Sequence, residues 1–255
     1  MILRQMLNPP NWFTSASLLC GLYAILLAGA ADGDAREFYR AGLMIFFAGL
    51  FDALDGRVAR LTGTGSAFGA QLDSLVDIAS FGVAPACLVY FWGFQPYGAL
   101  GVGVAGLLML AGAFRLARFN VAPPRSRRWS EGLTITMGGG TVAAVVMYFA
   151  GSGHVVPKQP LALAALVVAV SVLEVSSVPY RALKGLRPRA LAAMVVLGAA
   201  CAAVGAFYDI SAALVALGGA HLVSGPVELL WRAVRRRPKL VEDDQVEPAE
   251  RAGPA

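Results

Sequence analysis

The sequence predicts an all-helical, polytopic membrane protein with about eight transmembrane helices of roughly 20 residues each. Three observations point there. Hydrophobic residues make up 57% of the chain and charged residues 15%, where a soluble domain carries about 25% charged. The mean hydropathy is +0.64. The basic residues gather in short segments between apolar runs instead of spreading over a surface. The net charge of +5 therefore reads as loop charge at a membrane, and no nucleic-acid partner is expected.

The expected spans are 11–31, 38–61, 68–94, 97–119, 133–150, 161–178, 191–207 and 211–231. Asn8-Pro9-Pro10-Asn11 opens the first, because proline suits the first turn of a helix. Thr62-Gly63-Thr64-Gly65-Ser66 is a short loop that makes the second and third antiparallel neighbours. Gln95-Pro96 separates the third from the fourth, and a basic loop precedes the fifth. Gly138-Gly139-Gly140 near the start of the fifth reads as a packing seam. The last two spans form a tight hairpin around residues 208–210. Residues 1–231 make one membrane unit, with Met1 to Leu7 at the interface, and 232–255 a solvated, mostly disordered tail.

With the N-terminus in the cytoplasm, all but three of the 21 Lys and Arg residues fall on the cytoplasmic side; Arg36, Arg40 and Lys158 are the exceptions. That asymmetry sets both termini inside the cell membrane. Arg4, an apolar run and Ala28-Gly29-Ala30 mimic a signal peptide. The length of the run and the polar Asn8 to Asn11 stretch favour retention.

Four aspartates stand out at the cytoplasmic end. Asp52 and Asp55 are spaced i, i+3, and Asp73 and Asp77 i, i+4, so each pair shares one helix face. Four carboxylates at one depth repel one another, and hard divalent cations relieve that repulsion. Two Mg²⁺ or Mn²⁺ ions are expected, the arrangement suited to phosphoryl chemistry. Gly56 and Gly69 permit close approach beside the acids, Ala59 is small, and Arg57 and Arg60 suit phosphate oxygens.

The run Asp52-x2-Asp55-Gly56-x2-Ala59-Arg60-x8-Gly69-x3-Asp73-x3-Asp77 resembles the full signature of the CDP-alcohol phosphotransferases, with no departure at a fixed position. Residues 72–86, Arg115-Leu116-Ala117-Arg118-Phe119-Asn120 and Pro10-Asn11-Trp12-Phe13-Thr14 are similar to the bacterial and archaeal CDP-diacylglycerol–serine O-phosphatidyltransferases. Gly132-Leu133-Thr134-Ile135-Thr136 departs from them at Thr134, where a proline is expected. The family-like core covers about residues 10–178, and the last spans add nothing to the resemblance.

The resemblance implies transfer of a phosphatidyl group from CDP-diacylglycerol to L-serine, releasing CMP, by a homodimer whose active site opens to the cytoplasm. It implies that Asp52, Asp55, Asp73 and Asp77 are metal ligands and that Asp77 is the general base. It puts Gly56, Ala59, Arg60, Ser66 and Gly69 against the CDP-lipid, with Asn11 and Thr14 near its nucleotide. Arg118, and less directly Arg115, are expected at the acceptor's carboxylate, because a guanidinium meets a carboxylate with two parallel hydrogen bonds. Another acceptor, glycerol 3-phosphate or an inositol compound, fits the same signature. A cation transporter is the alternative from another class; it requires acids near the bilayer midplane, not at one end beside arginines.

The remaining polar residues read as structural. Cys20, Cys87 and Cys201 lie apart in apolar runs and suit neither zinc nor a disulfide. Glu174 and Glu228 read as helix-end acids paired with nearby arginines, and His221 as a helix–helix hydrogen bonder.

Overall fold

A computed structural model describes residues 8–121, 129–181 and 210–234. The described chain is largely helical: α1 (Pro9–Gly29), α2 (Ala35–Thr62), α3 (Ala67–Asp77), α4 (Ala84–Val89), α5 (Gly98–Val121), α6 (Ile135–Gly151), α7 (Pro160–Val175) and α8 (Ile210–Val234). Two π-helical stretches, Ile78–Val83 and Tyr90–Phe94, flank α4. Two three-residue strands, β1 (Trp129–Glu131) and β2 (Pro179–Arg181), pair antiparallel.

Local chemistry sets the element ends. Pro9 and Pro10 open α1, and the Asn8 amide before them donates to the Thr64 carbonyl at 2.8 Å, tying this end to the α2–α3 loop. Asp34 caps α2, its Oδ1 accepting from the Arg36 N–H at 2.9 Å. Gly63 ends α2 in the left-handed region, φ +63°, which glycine adopts without steric cost. Ser66 caps α3 by accepting the Gly69 N–H at 3.0 Å.

The packing is that of helices in lipid, where small residues let backbones approach. Ala24 and Ala28 of α1 meet the face of α2 that carries Ala41, Ile45 and Ala48, all buried. A Cβ on Gly21 would lie 2.7 Å from Ser80 Oγ, and one on Gly139 would collide with the Phe81 carbonyl. The first π-helical stretch is thus pressed between α1 and α6. Leu19, Leu22 and Leu26 of α1, Leu100, Leu107 and Leu110 of α5 and Leu161 of α7 point outward. An outside this apolar belongs to a membrane-associated fold.

Among the described residues three helical stretches are long and apolar enough to cross a membrane, Pro9–Gly29, Ala67–Val121 and Ile210–Val234, and not the eight expected. The difference has identifiable causes. The expected third and fourth spans run together as one 55-residue helical stretch. The α2 helix meets the length but carries Arg36, Glu37, Arg40, Asp52, Asp55, Arg57 and Arg60. The α6 and α7 helices have 17 and 16 residues, short of the roughly 20 a straight span needs. The expected span 191–207 and the tail from 235 lie outside the described residues, as do Met1 to Leu7 and Cys201. The α8 helix runs on to Val234, past the expected end at 231.

Candidate active site

The site is built on the α2–α3 hairpin. Asp52 and Asp55 occupy the last turns of α2, and Asp73 and Asp77 the second half of α3. Each of Asp52, Asp55 and Asp73 offers one carboxylate oxygen, and the three oxygens lie within 4.8 Å of one another. Magnesium–oxygen bonds of about 2.1 Å in an octahedron place neighbouring ligand oxygens about 3 Å apart. A small rotation of the side chains would close the trio on a hard divalent cation. Three hard oxygen donors, with no sulfur or imidazole among them, suit Mg²⁺ or Mn²⁺.

Asp77 stands beside that trio, one turn further along α3. It is hydrogen-bonded to Asp52 and within the field of Asp73 and Asp55. The π-helical stretch begins at the next residue, Ile78. Such wide turns concentrate at functional sites.

The first helix supplies the wall behind the acids. Thr14 Oγ1 donates to Asp55 Oδ2 at 2.8 Å, and both residues are buried. Threonine thereby fixes which oxygen of Asp55 faces the trio. Asn11, also buried, brings its side-chain oxygen to within 3.2 Å of where a Gly69 Cβ would stand, and Ser66 Oγ lies 3.3 Å from the same point. Asn11, Thr14, Ser66 and Gly69 therefore adjoin one another. Gly56 leaves a gap in front of Arg60, whose Nη1 would be 3.6 Å from a Cβ there. Arg60 and Arg57 are exposed, and Ala59 is half-buried between them.

The two arginines of α5 have different jobs. Arg118 donates from Nη1 to the Val175 carbonyl at 3.0 Å, and from Nη2 to the Glu131 and Ser176 carbonyls, each at 3.1 Å. Both terminal nitrogens, expected at an acceptor, are committed to backbone at the end of α7 and in β1. A cation at a helix C-terminus is favourable there. Arg115 is buried, donates from Nη2 to Ser130 Oγ at 3.3 Å, and feels the charges of both Glu174 and Asp77.

Glu174 is the residue the sequence reading undervalued. It is 0% exposed, and neither of its oxygens has a hydrogen-bond partner. Glu228 behaves as expected, accepting from Arg232 Nε at 2.7 Å. His221 packs against the Tyr180 ring, with centroids 5.3 Å apart. Cys20 and Cys87 are half-buried free thiols. Gly138 and Gly139 form the expected seam, closing on Glu174 and on the Phe81 carbonyl.

Known proteins resemble the chain along this same frame. It is 40% identical over 121 residues to a CDP-diacylglycerol–serine O-phosphatidyltransferase of Helicobacter pylori, covering 48% of this chain and 49% of that protein. An archaetidylserine synthase of Methanothermobacter thermautotrophicus is 35% identical over 179 residues, covering 69% and 71%. A CDP-diacylglycerol–serine O-phosphatidyltransferase of Saccharomyces cerevisiae is 40% identical over 117 residues, covering 45% and 42%. The chain spans about half the length of the first of these relatives. The pattern of the CDP-alcohol phosphatidyltransferases matches residues 7–218, which takes in the aspartate hairpin, both α5 arginines and Glu174. With its carboxylates converging as that pattern requires, the chain belongs to the CDP-alcohol phosphatidyltransferase family.

Proposed function

We propose that the protein transfers the phosphatidyl group of CDP-diacylglycerol to the hydroxyl of L-serine, giving phosphatidylserine and CMP. The observation that carries the reading is the convergence of Asp52, Asp55 and Asp73, with Asp77 hydrogen-bonded beside them. The names of the relatives, two of them serine transferases and one an archaetidylserine synthase, support serine as the acceptor.

Two divalent ions, Mg²⁺ or Mn²⁺, held by Asp52, Asp55, Asp73 and Asp77, would supply Lewis-acid stabilisation of charge on the diphosphate. The protein's own groups do the rest. Asn11, Thr14, Ser66 and Gly69 line the space given to the nucleotide end. Gly56 and Ala59 keep side chains out of the way of the diphosphate, and Arg60 reaches its oxygens. Asp77 accepts the proton of the serine hydroxyl while that oxygen forms its bond to the β-phosphorus. The bond from that phosphorus to the bridging oxygen breaks, and its electron pair leaves with CMP. The diacylglycerol chains stay in the bilayer against the apolar exterior. A homodimer in the cell membrane, with both termini cytoplasmic, completes the reading.

The test uses membranes containing the protein, CDP-diacylglycerol, Mg²⁺ or Mn²⁺ and separately labelled serine, glycerol 3-phosphate and inositol compounds. Labelled phosphatidylserine and CMP in equal amounts are expected. A lipid product carrying another alcohol would replace serine and keep the transferase; no CMP from any acceptor would end the reading.

A further inference from the structure

We propose that Asn8 is a positioning residue for the phosphatidyl donor: by fixing the 63–65 turn to the start of α1, it sets the spacing of Asn11 and Ser66 across Gly69, an inference that rests on the donor reading above.

Asn8 is the N-cap residue of α1, yet its side chain does not cap that helix. The side-chain oxygen of an N-cap normally accepts from the N–H of the second or third helical residue. Here Pro9 and Pro10 fill the first two positions and carry no N–H, and the Asn11 N–H already donates to the Asn8 carbonyl at 2.9 Å. The double proline thus leaves the Asn8 side chain without a role in its own helix. Its Nδ2 donates instead to the Thr64 carbonyl at 2.8 Å, 56 residues away in the chain.

Thr64 stands where the chain is least constrained. Glycines flank it: Gly63 ends α2 at φ +63°, and a Cβ on Gly65 would meet nothing within 4 Å. On the α2 side of the turn, the Thr64 N–H donates to the Ala59 carbonyl at 3.2 Å. Toward α3, the hydrogen bond from Asn8 fixes the Thr64 carbonyl, two residues before Ser66. Ser66 in turn caps α3 by accepting the Gly69 N–H at 3.0 Å. Its Oγ and Asn11 Oδ1 lie 3.3 and 3.2 Å from where a Gly69 Cβ would stand. The gap at Gly69, given above to the nucleotide end of the donor, is therefore bordered by one residue from each of the two segments that Asn8 joins. Thr14 pins α1 a second time, on Asp55 at 2.8 Å. Six residues of helix put the two pins about 9 Å apart, so one holds α1 to the carboxylates and the other holds it to the turn. Without the Asn8 bond the turn gains the conformational freedom of its two glycines, and the donor has to restrict it on binding.

The experiment measures steady-state kinetics of the full-length protein in mixed micelles with CDP-diacylglycerol, serine and Mg²⁺. Asn8→Ala should raise the CDP-diacylglycerol KM about 2- to 10-fold, the range of one net hydrogen bond, while the serine KM stays within about two-fold. Asn8→Asp keeps the shape, lacks the N–H donor and should raise the same constant. Gly65→Ala stiffens the turn at a point where a Cβ meets nothing. Added to Asn8→Ala, it should recover part of the donor KM. A purely structural Asn8 predicts a lower melting temperature with the donor KM unchanged, and that result overturns the proposal. So does a failure of Gly65→Ala to recover any of the loss. If Asn8→Ala does not fold, an unchanged donor KM in Asn8→Asp overturns it equally. If the wild-type protein uses an alcohol other than serine, the acceptor reading fails by itself, and the donor KM is read with that alcohol. If the wild type releases no CMP with any acceptor, the transferase reading fails. Asn8 is then tested by titrating CDP with Mg²⁺ into the wild type and Asn8→Ala: tighter binding by the wild type upholds its role, and equal binding, or none, overturns it.

Discussion

Thr14 shows how much of the site rests on groups that are not ligands. Its hydroxyl donates to one oxygen of Asp55 at 2.8 Å, leaving the other for a cation. Loss of such an orienting partner typically weakens metal affinity about 10- to 100-fold. Thr14→Val should therefore shift the Mg²⁺ concentration needed for half-maximal activity upward by that order, and Thr14→Ser should restore it. In the proposed function Asp77 is the proton acceptor, and Asp77→Asn should then lower turnover by about 10²–10⁴-fold. Donor binding, measured with CDP-diacylglycerol in detergent, should fall much less. The aspartates are legible in the sequence because helical spacing alone puts each pair on one face. Glu174 is not, because a single acid near the end of an apolar run has the pattern of an ordinary helix end. Only the fold shows that its neighbours are Gly112 and Gly138. Arg118 is also seen fully only in the fold: sequence puts it at the depth of the cluster but does not reveal the three carbonyls to which it donates.

At the scale of elements, α6 is set by its contact with the π-helical stretch after Asp77. Gly139 touches the Phe81 carbonyl, whereas a Cβ on Gly140 would meet nothing within 4 Å. The adjacent glycines should thus respond oppositely. Gly139→Val should cost about 1–3 kcal/mol by overpacking, seen as a lower melting temperature in detergent. Gly140→Ala should be neutral or stabilise by up to about 1 kcal/mol, because alanine is the better helix former. Apolar runs and proline punctuation foretell most helices here, including the break at Gln95–Tyr97 between the two long runs. They do not foretell the π-helical stretches, which keep the helical pattern of hydrophobicity while widening the turn. They also miss the ribbon, whose strands of three residues are too short for an alternation to register.

For the whole molecule, the carboxylate cluster predicts activity that is conditional on a cation. An excess of chelator should abolish turnover, and Mg²⁺ or Mn²⁺ should restore it; full activity in excess EDTA would rule out metal at the trio. Among the described residues three long apolar stretches stand in place of the expected spans, because α2 is charged, α6 and α7 are short, and the third and fourth spans join. The β1–β2 ribbon bears on how the chain is made. Ser130 of β1 holds Arg115, and the Tyr180 hydroxyl of β2 donates to the Leu222 carbonyl of α8 at 3.0 Å. Trp129 lies 4.0 Å from the Arg232 guanidinium. During synthesis β1 emerges well before β2, and α8 later still. The aspartate hairpin can close while the ribosome is still translating α5, but the ribbon that carries Ser130 is completed only when Pro179 to Arg181 has been made. A nascent chain halted before β2 should therefore protect the hairpin from protease and leave the α5 end open to it, so that the carboxylate half of the site matures before the arginine half.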